Sequence, residues 1–559
     1  MKEGAVGANR PRNTMNHPFF SNLPVYGGTY TKLDVTDTGN ECFLMTVQGT
    51  EKADYEAYLA SLCALAGCRE VVAPHSILET EDSLASMYTL ESANGPLLIN
   101  LLWIPAERSL YGVGEIKLAV EPLRNTNLSV FDPATAFTGL VDSLLIQIGQ
   151  DWINDTPDEN GYLDADLMRS GMGYAYRLCD GSFFLLDGGG TDIGLSEKDR
   201  DCAERIYQTL KKYSPSEKIV IAGWYFSHPH IDHMGGFMAF ANKYLKDDRY
   251  NVTLENVLAY MPNLDTQTFT KDGETRSLLP EKVDAYNAQF EYLRAKGTCI
   301  HKAHAGQKFY LRNLAFEVLF SYDLLTPRLA DALFVSSSYA RMKEPGVLMN
   351  WTGGGRDFTN TFSIIGQATV TVDANTSYKA LWTGDASCFG IETVNKMYGP
   401  AMKSDFVQVP HHGGTQMTPA KDEENELIKY HHQIEVNAFF GAVAEAVQEK
   451  TPKELFPTHY NADGSYGYVR AKYVLYPSSI NRVDFYDDMD NVKPDMDVNE
   501  CDVSNLSAWN PLYHLQDEAR LAGGDSYLAR CFLTVFTLGK EVSVTKDHDV
   551  IKPNMGQWL

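Results

Sequence analysis

The stretch that decides the fold is Ile219-Val220-Ile221-Ala222-Gly223-Trp224-Tyr225-Phe226-Ser227-His228-Pro229-His230-Ile231-Asp232-His233-Met234-Gly235-Gly236. Ile219 to Phe226 is an apolar run of the length of one buried strand. Directly behind it stand His228, His230, Asp232 and His233, polar groups that are costly to keep beside a core strand unless something ligates them. In extended chain residues i and i+2 point the same way, so His228 and His230 can grip one ion. The chain then turns, and Asp232 and His233 face a second position. Neutral imidazole is the commonest metal ligand, and a carboxylate adds the hard-oxygen charge that suits Zn²⁺, Mn²⁺ or Fe. The competing reading, an accidental cluster on a surface loop, must place three of the chain's 14 histidines together at the end of a core strand. Gly235 and Gly236 allow a following helix, expected over 237–245, to pack close.

Working outward, Ser143–Gly149 and Ser182–Asp187 are further apolar runs short enough for buried strands, separated by a polar insertion that contains Pro157 to Gly161. After Gly188-Gly189-Gly190 comes a helix whose Ser196 and Asp199 have capping-box spacing and whose Ala203, Ile206, Tyr207 and Leu210 share a face. Apolar strand, helix, apolar strand means a covered sheet of α/β type. Ahead of it, residues 25–122 read as a small α+β domain. Strands are expected at 29–35, 41–48, 86–90, 97–104 and 115–120, with one amphipathic helix carrying Tyr55, Tyr58, Leu59, Leu62 and Leu65 and closed by Gly67. Residues 123–138 lack periodicity and contain a proline among Asn, Thr and Ser, which reads as a linker. At 559 residues the chain is too long for one core. The expected division is a tail (1–24), the small domain (25–122), the linker (123–138) and a larger domain with a C-terminal extension (139–559).

Lys and Arg number 48 against 73 Asp and Glu, a formal charge of −25 that disfavours phosphate backbones and so nucleic acid as a partner. Nine dispersed cysteines, without a Cys-x-x-Cys pair, point to a reduced, cytoplasmic setting. No stretch reaches the roughly 18 apolar residues of a membrane span, so no membrane partner is expected. A small-molecule substrate is the remaining partner, and the oligomeric state is unreadable.

Three further segments follow the histidine cluster or precede it in a telling order: Leu185-Leu186-Asp187-Gly188-Gly189, Leu381-Trp382-Thr383-Gly384-Asp385, and Val407-Gln408-Val409-Pro410-His411-His412-Gly413-Gly414. Together with His-x-His-x-Asp-His they resemble the metallo-β-lactamase superfamily over about residues 140 to 480. The Thr-Gly-Asp strand end, the Pro-His-His-Gly turn and the Asn360-x-x-Ser363 pair most resemble the branch that holds the metallo domain of the DNA-uptake channel ComEC and phosphorylcholine esterase-like proteins. The resemblance implies an αββα sandwich with a two-metal site at one rim, the metals being two divalent ions, Zn first, Mn or Fe as alternatives. It implies His228 and His230 on one metal and Asp232, His233 and a histidine of the 411–412 pair on the other, His412 being favoured over His411. Asp385 would bridge the metals and Asp187 would be structural near the site. Asn360, Ser363 and Arg356 are candidate substrate contacts. The family often adds a third histidine to the first metal, for which His304, and after it His301, are the candidates against the reading of ordinary loop histidines.

Such a pair of ions acidifies a water held between them. Asp232 would orient that nucleophile and take its proton. Hydrolysis of a phosphodiester is the first reading, and hydrolysis of an ester, lactone or amide the second. A metal-binding sensor or interaction protein without turnover is a third, of another class.

Overall fold

The computed structural model describes residues 21–38, 41–80, 83–133, 139–148, 172–261, 268–271, 274–277, 283–324, 360, 363–386, 388–410, 471–477, 523–528 and 533–547. Strands β1 (Lys32–Asp37), β2 (Phe43–Gln48), β3 (Cys68–Ser76), β4 (Leu84–Leu90), β5 (Leu97–Ile104) and β6 (Glu115–Pro122) form one sheet in the order β1-β2-β6-β5-β4-β3. Helix α1 (Lys52–Cys63) starts at the Glu51/Asp54 capping box and lays Tyr55, Tyr58 and Leu62 on Ile99, Leu101, Ile116, Leu118 and Val120. The alternate residues Leu98, Leu102 and Ala119 point the other way and join the core of the rest of the chain. Hence β5 is buried along its whole length, and the small sheet is covered on both faces.

The larger part runs through β7 (Ser143–Gln147), β8 (Tyr174–Arg177), β9 (Phe183–Leu186), α2 (Glu197–Tyr213), β10 (Ile219–Tyr225), α3 (Ile231–Phe240), β11 (Val252–Leu254) and β12 (Asn256–Ala259). The hairpin β13 (Thr268–Lys271) and β14 (Glu274–Ser277) and helix α4 (Val283–Ala295) lead to β15 (Cys299–Lys302). A third sheet follows in simple order from β16 (Lys308–Leu311) through β17 (Leu314–Phe320), β18 (Ile365–Asp373), β19 (Thr376–Trp382), β20 (Phe406–Gln408) and β21 (Tyr473–Tyr476) to β22 (Asp525–Leu528). Helix α5 (Cys388–Tyr398) connects β19 to β20. Finally β23 (Leu533–Leu538) and β24 (Val542–Asp547) return to the second sheet, ordered β15-β12-β10-β9-β8-β7-β23-β24 with β11 beside β10.

One face of the second sheet, with Ile146, Phe183, Leu185, Ile221 and Val257, packs on Ala203, Ile206 and Leu210 of α2, Phe237 of α3 and Phe290 of α4. Its other face, with Leu145, Phe184, Leu186 and Tyr225, meets Phe316, Val318, Ala368 and Trp382 of the third sheet, and α5 packs on β17. This is the α/β arrangement, helices on two apposed sheets, that the motifs implied.

The described residues differ from the sequence expectations at several points. Strands β3 and β8 were not legible: β3 contains Pro74, two register shifts and several exposed positions, and β8 has only four residues. Helix α3 begins at Ile231 rather than at 237, so the metal motif itself opens the helix and the two glycines lie inside it. Residues 123–133 do not hang free. Val130 and Phe131 are buried, Asn125 Nδ2 donates to the Ile300 carbonyl at 2.8 Å, and Arg124 pairs with Glu291. Residues 25–122 and the larger part thus share a core. Among the described residues no helix is long and apolar enough to cross a membrane.

Candidate metal centre

Strands β9 and β10 are parallel, with Leu186 opposite Tyr225, so their carboxyl ends bring Asp187 and the 227–233 loop together. Asp187 sits at φ +51, a left-handed conformation that Asp and Asn tolerate better than other non-glycine residues. It is pinned there by its N–H donating to the Tyr225 carbonyl at 2.8 Å and its carbonyl accepting from Trp224 Nε1 at 3.0 Å. The carboxylate so fixed accepts three bonds, from Ser227 N (2.8 Å), Ser227 Oγ (2.7 Å) and His233 Nδ1 (2.8 Å). Having given its proton to Asp187, the Ser227 oxygen accepts from His228 Nδ1 at 3.0 Å. This hydrogen-bond assignment places a proton on Nδ1 of both His228 and His233 and turns both Nε2 lone pairs inward.

Helix α3 places the next donors. His230 is its N-cap residue, and Asp232 and His233 lie in its first turn. The helix can come this close because Gly235 and Gly236 lack a side chain. A Cβ on Gly236 would stand 2.0 Å from the Gly188 carbonyl oxygen, and one on Gly235 would stand 2.4 Å from that of Asp192. The facing loop is itself held by Asp199, whose carboxylate accepts from the N–H groups of Thr191, Asp192, Gly194 and Ser196 while its own N–H closes the capping box on Ser196.

From the third sheet, β19 delivers Asp385. Thr383 bonds the backbone and side chain of Gln408 on β20, and Gly384 turns at φ +54 against Ser227, where a Cβ would stand 2.5 Å from the serine's own. Two donor groups result, His228 with His230 and Asp385, and Asp232 with His233 and the same Asp385, and within each the ligand atoms lie within 4.8 Å of one another. His228 Nε2 is 2.9 Å from His230 Nδ1 and 4.0 Å from Asp385 Oδ2, and His233 Nε2 is 3.2 Å from Asp385 Oδ1.

These potential ligand atoms converge at hydrogen-bond range, His230 Nδ1 donating to His228 Nε2 and His233 Nε2 facing the Asp385 carboxylate, so a cation can take the place of the protons that now join them. Nitrogen and carboxylate donors in two sets sharing one carboxylate fit a pair of divalent ions. The electrostatics agree. Burial, together with neighbouring His233 and His230, holds the His228 pKa well below its usual value, keeping the ring neutral as a ligand must be. Burial acts the same way on His233, but Asp385 and Asp187 outweigh it and raise its pKa well above the usual value, so without a metal a proton fills that gap.

Of the other residues singled out in the sequence, Ser363 and Asn360 are buried beside the centre. Ser363 stands against Gly384, its N–H bonds the Asn360 carbonyl, and among the described residues the Ser363 hydroxyl and Asn360 side-chain oxygen have no hydrogen-bond partner. His304 is elsewhere and corrects the expectation of a third metal histidine: its Nδ1 bonds Asp323 at 2.8 Å and its Nε2 faces Glu121 of the small sheet at 3.5 Å. His301 is likewise committed, to Asn256 and Asn125. Arg356, His411 and His412 lie outside the described residues. The sequence reading missed Ser227, which was quoted with the motif but given no role. Its signal was a hydroxyl set between a core strand and a metal histidine.

No protein-family model matches the sequence, and no curated protein does. Among solved structures the chain is similar to the metallo-β-lactamase fold protein YhfI from Bacillus subtilis, at 11% identity over 70% of this chain and 98% of that one, with a TM-score of 0.27. It is also similar to CmlA, a diiron β-hydroxylase from Streptomyces venezuelae (9% identity, 86% of this chain, 78% of that one, TM-score 0.28). A third is the metallo-β-lactamase MIM-1 from Novosphingobium pentaromativorans (12%, 43% and 70%, TM-score 0.22). Likenesses this distant say nothing about chemistry, which rests on the chain's own donor set.

Proposed function

We propose that the chain is a metal-dependent hydrolase of the metallo-β-lactamase superfamily, working with two divalent ions on a small-molecule substrate, a phosphodiester first. The observation that carries this reading is the sharing of Asp385 by two sets of three potential donors. When bound, such a pair supplies a water acidified toward neutrality and positive charge for a developing oxyanion. His228 and His230 would hold one ion, Asp232 and His233 the other, and Asp385 both.

The chain's own groups do the rest. Asp187 and Ser227 hold the two imidazoles in the tautomer that presents Nε2. Asp232, in the first turn of α3, would orient the attacking water and accept its proton, while the Ser363 hydroxyl and Asn360 oxygen, without a partner among the described residues, would offer hydrogen bonds to substrate. What supports a phosphodiester over a carbonyl substrate is the Thr-Gly-Asp, Pro-His-His-Gly and Asn-x-x-Ser set read in the sequence.

The test is to strip the protein with a chelator, reload it with Zn²⁺, Mn²⁺ or Fe²⁺, and assay chromogenic phosphodiester, carboxylic ester, lactone and β-lactam substrates. Metal-dependent cleavage of the phosphodiester is expected. Cleavage of only the carbonyl substrates would move the substrate class, and a protein that neither contains nor rebinds metal would remove the hydrolase reading altogether.

A further inference from the structure

A cavity of about 410 Å³ lies apart from the metal donors, where residues 121–128 cross β15 and α4. That volume is in the range of small-molecule sites, which favour seams between domains. Leu98, Leu123, Met261 and Phe290 give it apolar walls. Its charges balance in number, Arg124, Arg294 and Lys302 against Glu41, Glu121 and Glu291, but not in geometry. Lys302 is satisfied by Glu121 at 2.6 Å. Arg124 is satisfied twice, by Glu41 and by Glu291 Oε1 at 2.9 Å.

Arg294 is the least closely paired of the three cations. Among the described residues its Nε is buried without a hydrogen-bond acceptor, its ion pair being stretched to 3.6 Å on the same Glu291 Oε1 that Arg124 already occupies. A buried donor on a group that is always charged is expensive to leave unmet, and its fork matches a planar carboxylate. Burial pulls the Arg294 pKa down despite Glu291, the direction expected of an under-compensated cation.

We infer that this seam cavity binds a small organic anion, its carboxylate on the Arg294 guanidinium and its apolar body against Leu123, Met261 and Phe290. The apolar walls favour an organic carboxylate over a bare inorganic ion, whose hydration they could not replace. The site joins both parts of the chain, since Leu98 and Glu121 come from the small sheet and Phe290 and Arg294 from α4.

The test is calorimetric titration of the full, metal-loaded chain with phenylacetate and with its neutral counterpart phenylacetamide. Saturable binding of phenylacetate is expected, with phenylacetamide at least about tenfold weaker. Arg294→Gln should weaken phenylacetate by a similar factor while leaving metal content and turnover unchanged. Arg294 lies in the last turn of α4 with a side chain 24% exposed, so the substitution disturbs little of the core. Leu123→Trp, which adds bulk to an apolar lining position, should block binding independently. No phenylacetate binding, equal binding of acid and amide, or wild-type binding in both variants would overturn the inference, the last because the anion would then sit on the metals or elsewhere.

Discussion

Replacing Asp187 by Asn tests how the centre is held, because it alters one charge behind the donors and no donor. The asparagine can keep the φ of +51 and the backbone bonds to Tyr225 and Trp224, so the turn survives. What changes is the partner of His233 Nδ1, now 2.8 Å from a carboxylate oxygen. A neutral amide forfeits a charge-assisted bond, about 1.5–3 kcal/mol. If its NH₂ turns toward the ring, the proton is driven to Nε2 and the lone pair aimed at Asp385 is lost. Loss of such a supporting partner costs on the order of 10–100-fold in metal affinity. The second ion, on Asp232 and His233, should therefore weaken by that factor while the first is less affected. Ser227→Ala reverses the pattern, since Ser227 Oγ orients His228 at 3.0 Å. Competition of each variant against a graded chelator series, read as metal equivalents retained, separates the two ions. Wild-type retention of both ions in Asp187→Asn would refute the reasoning that this carboxylate fixes the tautomer.

Asp385→Asn should release both ions together and depress hydrolysis by orders of magnitude, whereas Asp405→Asn, whose carboxylate accepts the Lys379 N–H on β19 outside the two donor sets, should not; metal content and turnover of the two variants decide it. His411→Ala and His412→Ala, made separately, should cost metal and turnover chiefly in the second, and full activity in both would remove the pair from the site. At the seam, burial would raise the Glu121 pKa from 4.5, but Lys302 and His304 outweigh it and hold it at about 2. A lowered folded pKa gives stability that is present above pH 4.5 and lost as pH falls toward 2. His304, raised well above 6.5 by Asp323 and Glu121 against its burial, contributes below pH 6.5 and loses that contribution as pH rises through its elevated pKa. Denaturant unfolding across pH should show both limbs, and Glu121→Gln should cost about 3 kcal/mol near neutrality and flatten the acid limb.

What the sequence made legible is what depends on short range. The apolar run 219–226, the capping box of Ser196 and Asp199, and the strand over 115–120 all became the elements expected, because each is decided by residues within a turn or a strand length. The donors of the 228–233 motif and Asp385 converge, the motif because parallel β9 and β10 end at one rim and Asp385 because β19 of the apposed third sheet ends against it. The failures are long-range. That His304 would meet Glu121, far earlier in the chain, cannot be read from His304's neighbours, so a buried ion-pair histidine and a metal histidine look alike in sequence. Strand β3 hid for a different reason. An edge strand broken by Pro74 and two register shifts has lost the alternation by which a strand is recognised, and those same breaks discourage pairing with another chain.

The same distinction explains why residues 25–122 read as separate and are not. Their helix covers one face of the small sheet, and a sequence reader finds that face complete. The opposite face, however, carries Leu98, Leu102 and Ala119 into the larger core, with Glu121 at its edge clasping Lys302 at 2.6 Å. An antiparallel sheet can leave one face to water, and then alternates apolar with polar residues. Here β5 reads Leu97-Leu98-Ile99-Asn100-Leu101-Leu102-Trp103-Ile104, apolar on both sides apart from Asn100, whose side-chain oxygen accepts from Gln307 of the larger part at 2.7 Å. A strand so apolar on both faces already required a second covering surface, and the one polar residue in it marks where that surface is. Cutting the chain in 123–133 would thus bare Leu98 and Leu102 and strand Lys302 without its carboxylate, so the two parts should unfold as a unit.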